Sequence, residues 1–284
     1  MENSKLIRSA LIRVVQTGTP ALSNFAAWML DHLPEVAFSS IRGLATSAGV
    51  NANTVTRLAS ELGYDGYDAF RQDVQALMKS PQNYGDRARA LHNKSGDDIW
   101  SETLQANWMN MQTLFSPEAQ ATLESCIDPL LSARRVYTLG VRSCFSVAHY
   151  FSYAGSMAFD NFEQVPSMPG AILDQMATCN ANDIVVAVSY EHYSSEVVRA
   201  VQIARENGAR ILALTDSYQS PISKDAWKTI RLPMIGPQLM PSLTTAFITA
   251  ELLLTVMIAR SPESSAKVEN FENMITSHGG YVQI

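Results

Sequence analysis

Residues 41–62 read IRGLATSAGVNANTVTRLASEL, and the rest of the chain is organised around them. The stretch predicts two short helices joined by a tight turn. Ala45 allows close helix approach, Gly49 permits the left-handed backbone of the turn, and Asn51 is a good N-cap for the second helix. Val55, Leu58 and Leu62 recur at i, i+3 and i+7, so one face of that helix is expected to be buried. Asn53, Thr54, Thr56 and Arg57 lie on the opposite face, starting at its N-terminal end. A small residue, a glycine four later and a branched apolar residue six after that is the helix-turn-helix spacing, with the polar side chains where such a helix meets base edges. An ordinary helical hairpin uses similar glycine turns, so the stretch does not decide alone.

Around this core, Lys5–Thr17 and Ala21–Leu33 predict two helices, the second carrying a stripe of Phe25, Trp28, Met29 and Leu33. Pro34 is read as its end, and Ser39 or Ser40 as the cap of the next helix. After Leu62 a two-glycine turn leads into a helix with Phe70, Val74, Leu77 and Met78 inward. The result is an all-α domain over residues 1–80. The polar, turn-rich stretch 81–96 is read as a linker. Residues 97–132 follow as connecting helices expected to pack on the next domain. The first carries Ile99, Trp100, Leu104, Trp108, Met111 and Phe115 along one side, and Pro117 starts the second.

From Arg135 the pattern changes to short apolar runs alternating with helices. Strands are predicted at 136–139, 184–189, 211–215 and 229–232, with helices at 144–159, 195–207 and 243–260. Such alternation implies an α/β domain, here residues 133–260, whose parallel sheet is sandwiched by helices. Residues 261–284 are read as a polar, loosely attached tail.

Composition bounds the function. The chain has 284 residues and a net charge of −6. Its first 80 residues hold seven Lys/Arg and seven Asp/Glu, so no strongly basic surface advertises nucleic acid. A local polar face and helix N-termini on phosphates suffice for operator binding. The opening is no signal sequence and the apolar run 244–259 is too short to span a bilayer. Three cysteines without metal or redox spacing suit a reducing compartment. A cytoplasmic protein without membrane association is expected. Five scattered histidines lack metal spacing, and no cofactor is expected.

Ligands of open α/β sheets bind beyond the carboxyl ends of the strands. Three ends are polar here: Gly140-Val141-Arg142-Ser143, Ser189 through Glu196, and Thr215-Asp216-Ser217. Hydroxyls and free N–H groups at helix N-termini make an anion site, and Arg142 adds a bidentate cation. Serines also cap helices everywhere, and His192 with Glu196, four apart, is the only pair offering general acid–base chemistry.

Taken together, VNANTVTRLASELGYDGYDAFR, then LGVRS, then VVAVSYEHYSSEVV and NGARILALTDSYQSPIS resemble the RpiR family of bacterial transcriptional regulators, over about residues 5–260. The resemblance implies a helix-turn-helix domain followed by a SIS (sugar isomerase) domain binding phosphosugars, without catalysis. It implies double-stranded operator DNA met by Ser40, Asn51, Asn53, Thr54, Thr56 and Arg57. A phosphosugar or sugar-acid effector would be held by Gly140, Arg142, Ser143, Ser189, Tyr193, Ser194, Ser195 and Glu196. Against the family's S-x-S-G-E-T loop, the second loop is read as longer. Ser189, Ser195 and Glu196 align, Ser195 replaces the glycine, Val197 stands at the threonine, and Tyr193 and Ser194 fall in the extra length. A homodimer or dimer of dimers is implied, with the apolar helix 243–260 as a contact. A sugar-phosphate isomerase and a non-catalytic phosphosugar-binding adapter are the alternatives.

Overall fold

The computed structural model describes residues 2–78, 84–92, 94–168 and 170–282. The chain divides into two compact units, Met1–Asn93 and Lys94–Ile284.

The first unit is all-helical: α1 (Glu2–Thr17), α2 (Pro20–Asp31), α3 (Leu33–Phe38), α4 (Ile41–Ser47), α5 (Ala52–Glu61), α6 (Tyr67–Met78) and α7 (Tyr84–His92). Its core gathers Leu11, Phe25, Met29, Val36, Leu44, Val55, Leu58, Phe70 and Val74, all at most 1% exposed. The side chains of Leu77 and Met78, expected inward, lie outside the described residues. Trp28 is half-buried against this core and stacks on His32, ring centroids 4.0 Å apart.

Two helices here were not expected. Pro34 does not end a helix; it stands in the first turn of α3, where a missing N–H costs nothing. The chain turns at His32, which closes α2 and opens α3. In the stretch read as linker, residues 84–92 form α7 with no buried residue, while 79–83 and 93 lie outside the described residues.

The second unit begins with α8 (Gly96–Leu114) and α9 (Pro117–Ser132), N-capped by the Ser95 and Ser116 hydroxyls. Then come β1 (Val136–Leu139), α10 (Cys144–Ala158), α11 (Ala171–Met176), β2 (Ile184–Val188), α12 (Ser195–Glu206), β3 (Arg210–Thr215), β4 (Lys228–Arg231), α13 (Thr244–Arg260) and α14 (Pro262–Ser277). The four strands form one parallel sheet in the order β1-β2-β3-β4. Every residue of β1 and β2 is buried, as expected of strands covered on both faces. One face carries α9, α10 and α13 through Ile127, Val147, Phe151, Val186, Leu253 and Met257. The other carries α11 and α12 through Met176, Val185, Val201 and Ile211. This is the sandwiched parallel sheet the sequence predicts.

Two expectations for this unit change. Residues 262–277 are a helix, not a loose tail: Ser264 is fully buried, Val268 packs on the core, and Lys267 pairs with Asp160. Helix α13 buries Ala246, Ala250, Leu253, Leu254 and Met257 inside the unit and leaves Glu251, Thr255 and Ile258 exposed on its other side. The apolar side of α8 is not its packed side. Ala106, Asn110 and Leu114 face the unit, whereas Trp100, Leu104, Trp108 and Phe115 are exposed. Among the described residues no single helix is long and apolar enough to cross a membrane.

The Tyr67 phenol and Arg71 tie α6 to the entry of the helix-turn-helix. The buried Tyr67 hydroxyl donates to the carbonyl of Val36 (2.9 Å) or that of Ser39 (3.1 Å), and Arg71 Nη1 donates to Ser39 as well (3.4 Å). Tyr67→Phe leaves the Val36 carbonyl without this donor and should cost about 1–2 kcal/mol, read from the denaturant midpoint at constant m-value. Burial pushes this phenol from 10 up to about 12. The folded state therefore favours the neutral form, and its contribution is whole below pH 10 and lost as pH rises towards 12.

Candidate DNA interface and anion cradle

In the first unit, Ser40 accepts the Gly43 N–H (3.2 Å) and caps α4, and Asn51 accepts the Thr54 N–H (2.8 Å) and caps α5. Gly49, at φ 65°, makes the turn between them. The Thr54 hydroxyl also donates to Asn51 Oδ1 (3.0 Å), and Thr56 donates to the Ala52 carbonyl (3.2 Å). Val55 and Leu58 sit in the core, so the far side of α5 must face out: Asn51, Asn53, Thr56 and Arg57 are exposed and Thr54 is half-buried. Six residues named from sequence thus fall into two groups. Ser40, Asn51 and Thr54 spend side-chain atoms shaping helix starts, whereas Asn53, Thr56 and Arg57 lie exposed on the outward side. Arg57 forms no ion pair among the described residues. Arg42, exposed on α4, joins this surface; its position, two residues after a serine cap, was the signal in the sequence.

In the second unit the loops after β1, β2 and β3 leave the same edge of the sheet, because all three strands are parallel and paired in register. They also touch. The backbone of Tyr190 reaches the Cys144 sulfur, and the Tyr193 hydroxyl donates to Asp216 Oδ1 (3.0 Å). Arg231 Nε holds the Asp216 carbonyl (3.0 Å). The structure thus brings the three polar strand ends together, with Asp216 of the third end joined to Tyr193 of the second.

The eight candidate effector residues have unequal positions. Gly140 is buried; a Cβ there would stand 2.5 Å from the Cys144 carbonyl oxygen and 3.0 Å from Ala148 Cβ. Its absent side chain therefore lets the start of α10 close on β1. Ser189 is buried too, Arg142 and Ser195 are exposed, and Ser143, Tyr193, Ser194 and Glu196 are half-buried. Neither Ser143 nor Ser194, the residues preceding α10 and α12, spends its hydroxyl on capping its own helix. In α10 the first three N–H groups already donate to the carbonyls of Val141, Arg142 and Ser143 (3.1, 3.2 and 3.3 Å), so it is the first turn of α12 that offers its N–H groups at this edge.

Backbone conformation marks the first and second loops. Of three non-glycine residues with positive φ among the described residues, two are here: Arg142 at 53° and His192 at 68°. His192 is the fourth residue from Ser189, the place of the glycine in S-x-S-G-E-T. Ser195 is already helical. Left-handed backbone in non-glycine residues is costly and gathers at functional sites.

Catalytic chemistry gains little. Among the described residues no group of His, Cys, Asp and Glu could hold a metal ion. Cys144 opens α10, yet burial raises its thiol rather than leaving it activated. Tyr190, buried with no partner for its hydroxyl, is held well above its ordinary value by burial, then by Cys144 and Asp216.

Comparison with known proteins follows this division. Residues 13–80 match the helix-turn-helix domain of the rpiR family, and residues 129–261 match the SIS domain. An uncharacterized HTH-type transcriptional regulator of Clostridium perfringens is 27% identical over 212 residues, 69% of this chain and 71% of the relative. HexR, an HTH-type transcriptional regulator of Pseudomonas aeruginosa, is 25% identical over 69% of this chain and 67% of its own. The chain therefore spans about two thirds of the length of the curated relatives it matches. Among solved structures, Vibrio vulnificus NanR complexed with ManNAc-6P superposes with a TM-score of 0.57 at 17% identity, covering 97% of this chain and all of that one. The sugar isomerase domain of an RpiR transcription factor from Sphaerobacter thermophilus gives 0.55 at 20% identity, over 62% of this chain and 97% of that one. These likenesses establish the fold.

Burial also governs all three cysteines, pushing Cys126 up to about 11 and raising Cys144 and Cys179. At pH 8 the native protein should leave an aromatic disulfide reagent essentially unreacted, and release three equivalents per chain only after denaturation.

Proposed function

Since this chain belongs to the rpiR family of helix-turn-helix regulators and carries the SIS domain C-terminal to it, we propose that it is a transcriptional regulator of carbohydrate metabolism. A phosphorylated sugar, or a related anionic metabolite, controls its operator affinity. The head reads double-stranded operator DNA through Asn53, Thr56 and Arg57, while Ser40, Asn51 and Thr54 set the helix starts.

One observation carries the effector half of this reading. Two helix N-termini, α10 and α12, open on the same sheet edge with hydroxyls of Ser143 and Ser194 not used as caps, beside the exposed guanidinium of Arg142. An oxyanion there would accept from the Ser143 and Ser194 hydroxyls and the first-turn N–H groups of α12 while meeting the positive ends of two helix dipoles. Ligand binding to one arrangement of the chain shifts its operator affinity by the ligand's differential affinity for the two arrangements. Vibrio vulnificus NanR is complexed with a phosphosugar, ManNAc-6P, and a ligand of that class suits a cradle of this kind.

The isomerase alternative needs a base poised on a substrate carbon. His192 is exposed at a loop corner and Glu196 sits half-buried in the first turn of α12, so neither is buried away from water. Turnover of hexose or pentose phosphates that vanishes on Glu196→Gln would favour the enzyme over the regulator.

Two measurements test the proposal. Arg57→Ala should weaken binding to the chain's upstream DNA by ~1–3 kcal/mol and relax specificity; unchanged titration removes Arg57 from the reading set. In a thermal-shift panel of sugar phosphates on the full chain, a ligand at a hundred times its Kd should stabilise by about 2.7 kcal/mol. The double change Ser143→Ala, Ser194→Ala should abolish that shift without lowering the melting point of the free protein. A panel giving no shift with any anionic sugar would remove the effector.

A further inference from the structure

Just past the carboxyl ends of β2 and β3, one face of the sheet carries a matched donor and acceptor. Val188 pairs with Leu214, and both lie in the core shared with α9, α10 and α13. The Ser189 N–H still donates to the Leu214 carbonyl (3.2 Å). Side chains alternate along a strand, so Tyr190 and Asp216 come next on that same face. Tyr190 is 5% exposed and packs in one core with Val188, Leu214 and Cys144, the first residue of α10. Its hydroxyl has no hydrogen-bond partner among the described residues. A buried donor of this kind costs free energy until an acceptor meets it. Burial first, then Cys144 and Asp216, hold the phenol well above its ordinary value, so the hydroxyl lies near both.

Asp216 is the converse case. The hydroxyls of Tyr193 (3.0 Å) and Thr215 (3.1 Å) both donate to Oδ1, and Arg231 Nε holds the carbonyl of the same residue (3.0 Å). The second loop, β3 and β4 thus fix this carboxylate through a single oxygen. No described residue donates to Oδ2. A carboxylate at this edge also has a cost, because it repels the same anion that Arg142 attracts. Anchoring the loops needs only an uncharged oxygen, so the charge itself is unexplained by the protein's own bonds.

We propose that Tyr190 and Asp216 recognise a hydroxyl group of the effector, the phenol donating to its oxygen and Asp216 Oδ2 accepting its proton. The proposal rests on the anion cradle described under the proposed function and adds what the cradle selects. A hydroxyl donates and accepts at one atom. Ionised phosphate or carboxylate oxygens only accept, and Asp216 would repel them. The pair therefore favours an anion that carries a hydroxylated carbon chain, a sugar phosphate or sugar acid, over a bare anion. Neither residue is needed to hold the anionic group.

Calorimetric titration of the full chain with glucose 6-phosphate, ManNAc-6P, gluconate and inorganic phosphate tests this. At least one of the three sugar derivatives should bind more tightly than inorganic phosphate. Tyr190→Phe and Asp216→Asn should each weaken that sugar derivative roughly tenfold, the loss of one hydrogen bond with a charged or buried partner. Inorganic phosphate should bind no weaker to either variant, and more tightly to Asp216→Asn, which removes a negative charge. Asparagine keeps an oxygen for Tyr193 and Thr215, and phenylalanine removes an oxygen without a bond, so the melting point of the free chain should not fall. A fallen melting point with all probes weakened alike would show a structural role and overturn the proposal. Sugar derivatives that bind no better than inorganic phosphate, or equally well to both variants, overturn it while leaving the cradle standing. A wild-type chain that binds none of the four probes overturns the cradle, and the proposal with it.

Discussion

Parallel pairing of four short strands is the constraint from which the second unit follows. Strands that run the same way, with both faces buried, need helical crossovers, and those crossovers return every chain end to one edge. The edge where β1, β2 and β3 stop is consequently the edge where α10 and α12 start. Backbone N–H groups gather there without any residue being selected for binding. What selection adds is closeness and conformation. Gly140 has no room for a Cβ because the Cys144 carbonyl lies where it would go. Arg142 and His192 accept left-handed backbone that most side chains avoid. The cradle is thus built mostly from main chain, and side chains such as Ser143 and Ser194 tune it.

The same economy holds in the helical unit. Burying Val55 and Leu58 fixes the rotation of α5, and rotation alone decides that Arg57 points outward. The caps at Ser40 and Asn51 then fix where α4 and α5 begin. A change at a cap would tilt or fray the reading helix while leaving its outward residues in place, so cap and contact roles are separable in principle even among neighbours.

Much of this is legible in the sequence, and the failures are instructive. The sequence pattern locates β1 to the residue and α10, α12 and α13 to within one, because buried apolar strands and helices with period 3.6 leave strong marks. Pro34 misleads since proline suits the first turn of a helix as well as it stops one; only a turn at His32 distinguishes the two. Residues 262–277 look loose because a surface helix needs only a thin buried strip, here centred on Ser264 and Val268. The left-handed corner at His192 leaves no mark in the sequence, because histidine there has no glycine's signature. For α8 the periodicity is right and the meaning attached to it wrong. Period 3.6 says that apolar residues share a face; it does not say which body covers that face.

Charge completes the account. The first 80 residues balance seven cations with seven anions, so the net −6 belongs to residues 81–284. A head without excess positive charge gains little from counterion release, and must draw more of its DNA affinity from base contacts and cap geometry, the parts that distinguish one operator from another. On the proposed function, an acidic second unit repels an anionic effector at long range, and binding at the sheet edge rests on short-range dipoles and the Arg142 fork. Screening by salt weakens the long-range repulsion more than these close contacts.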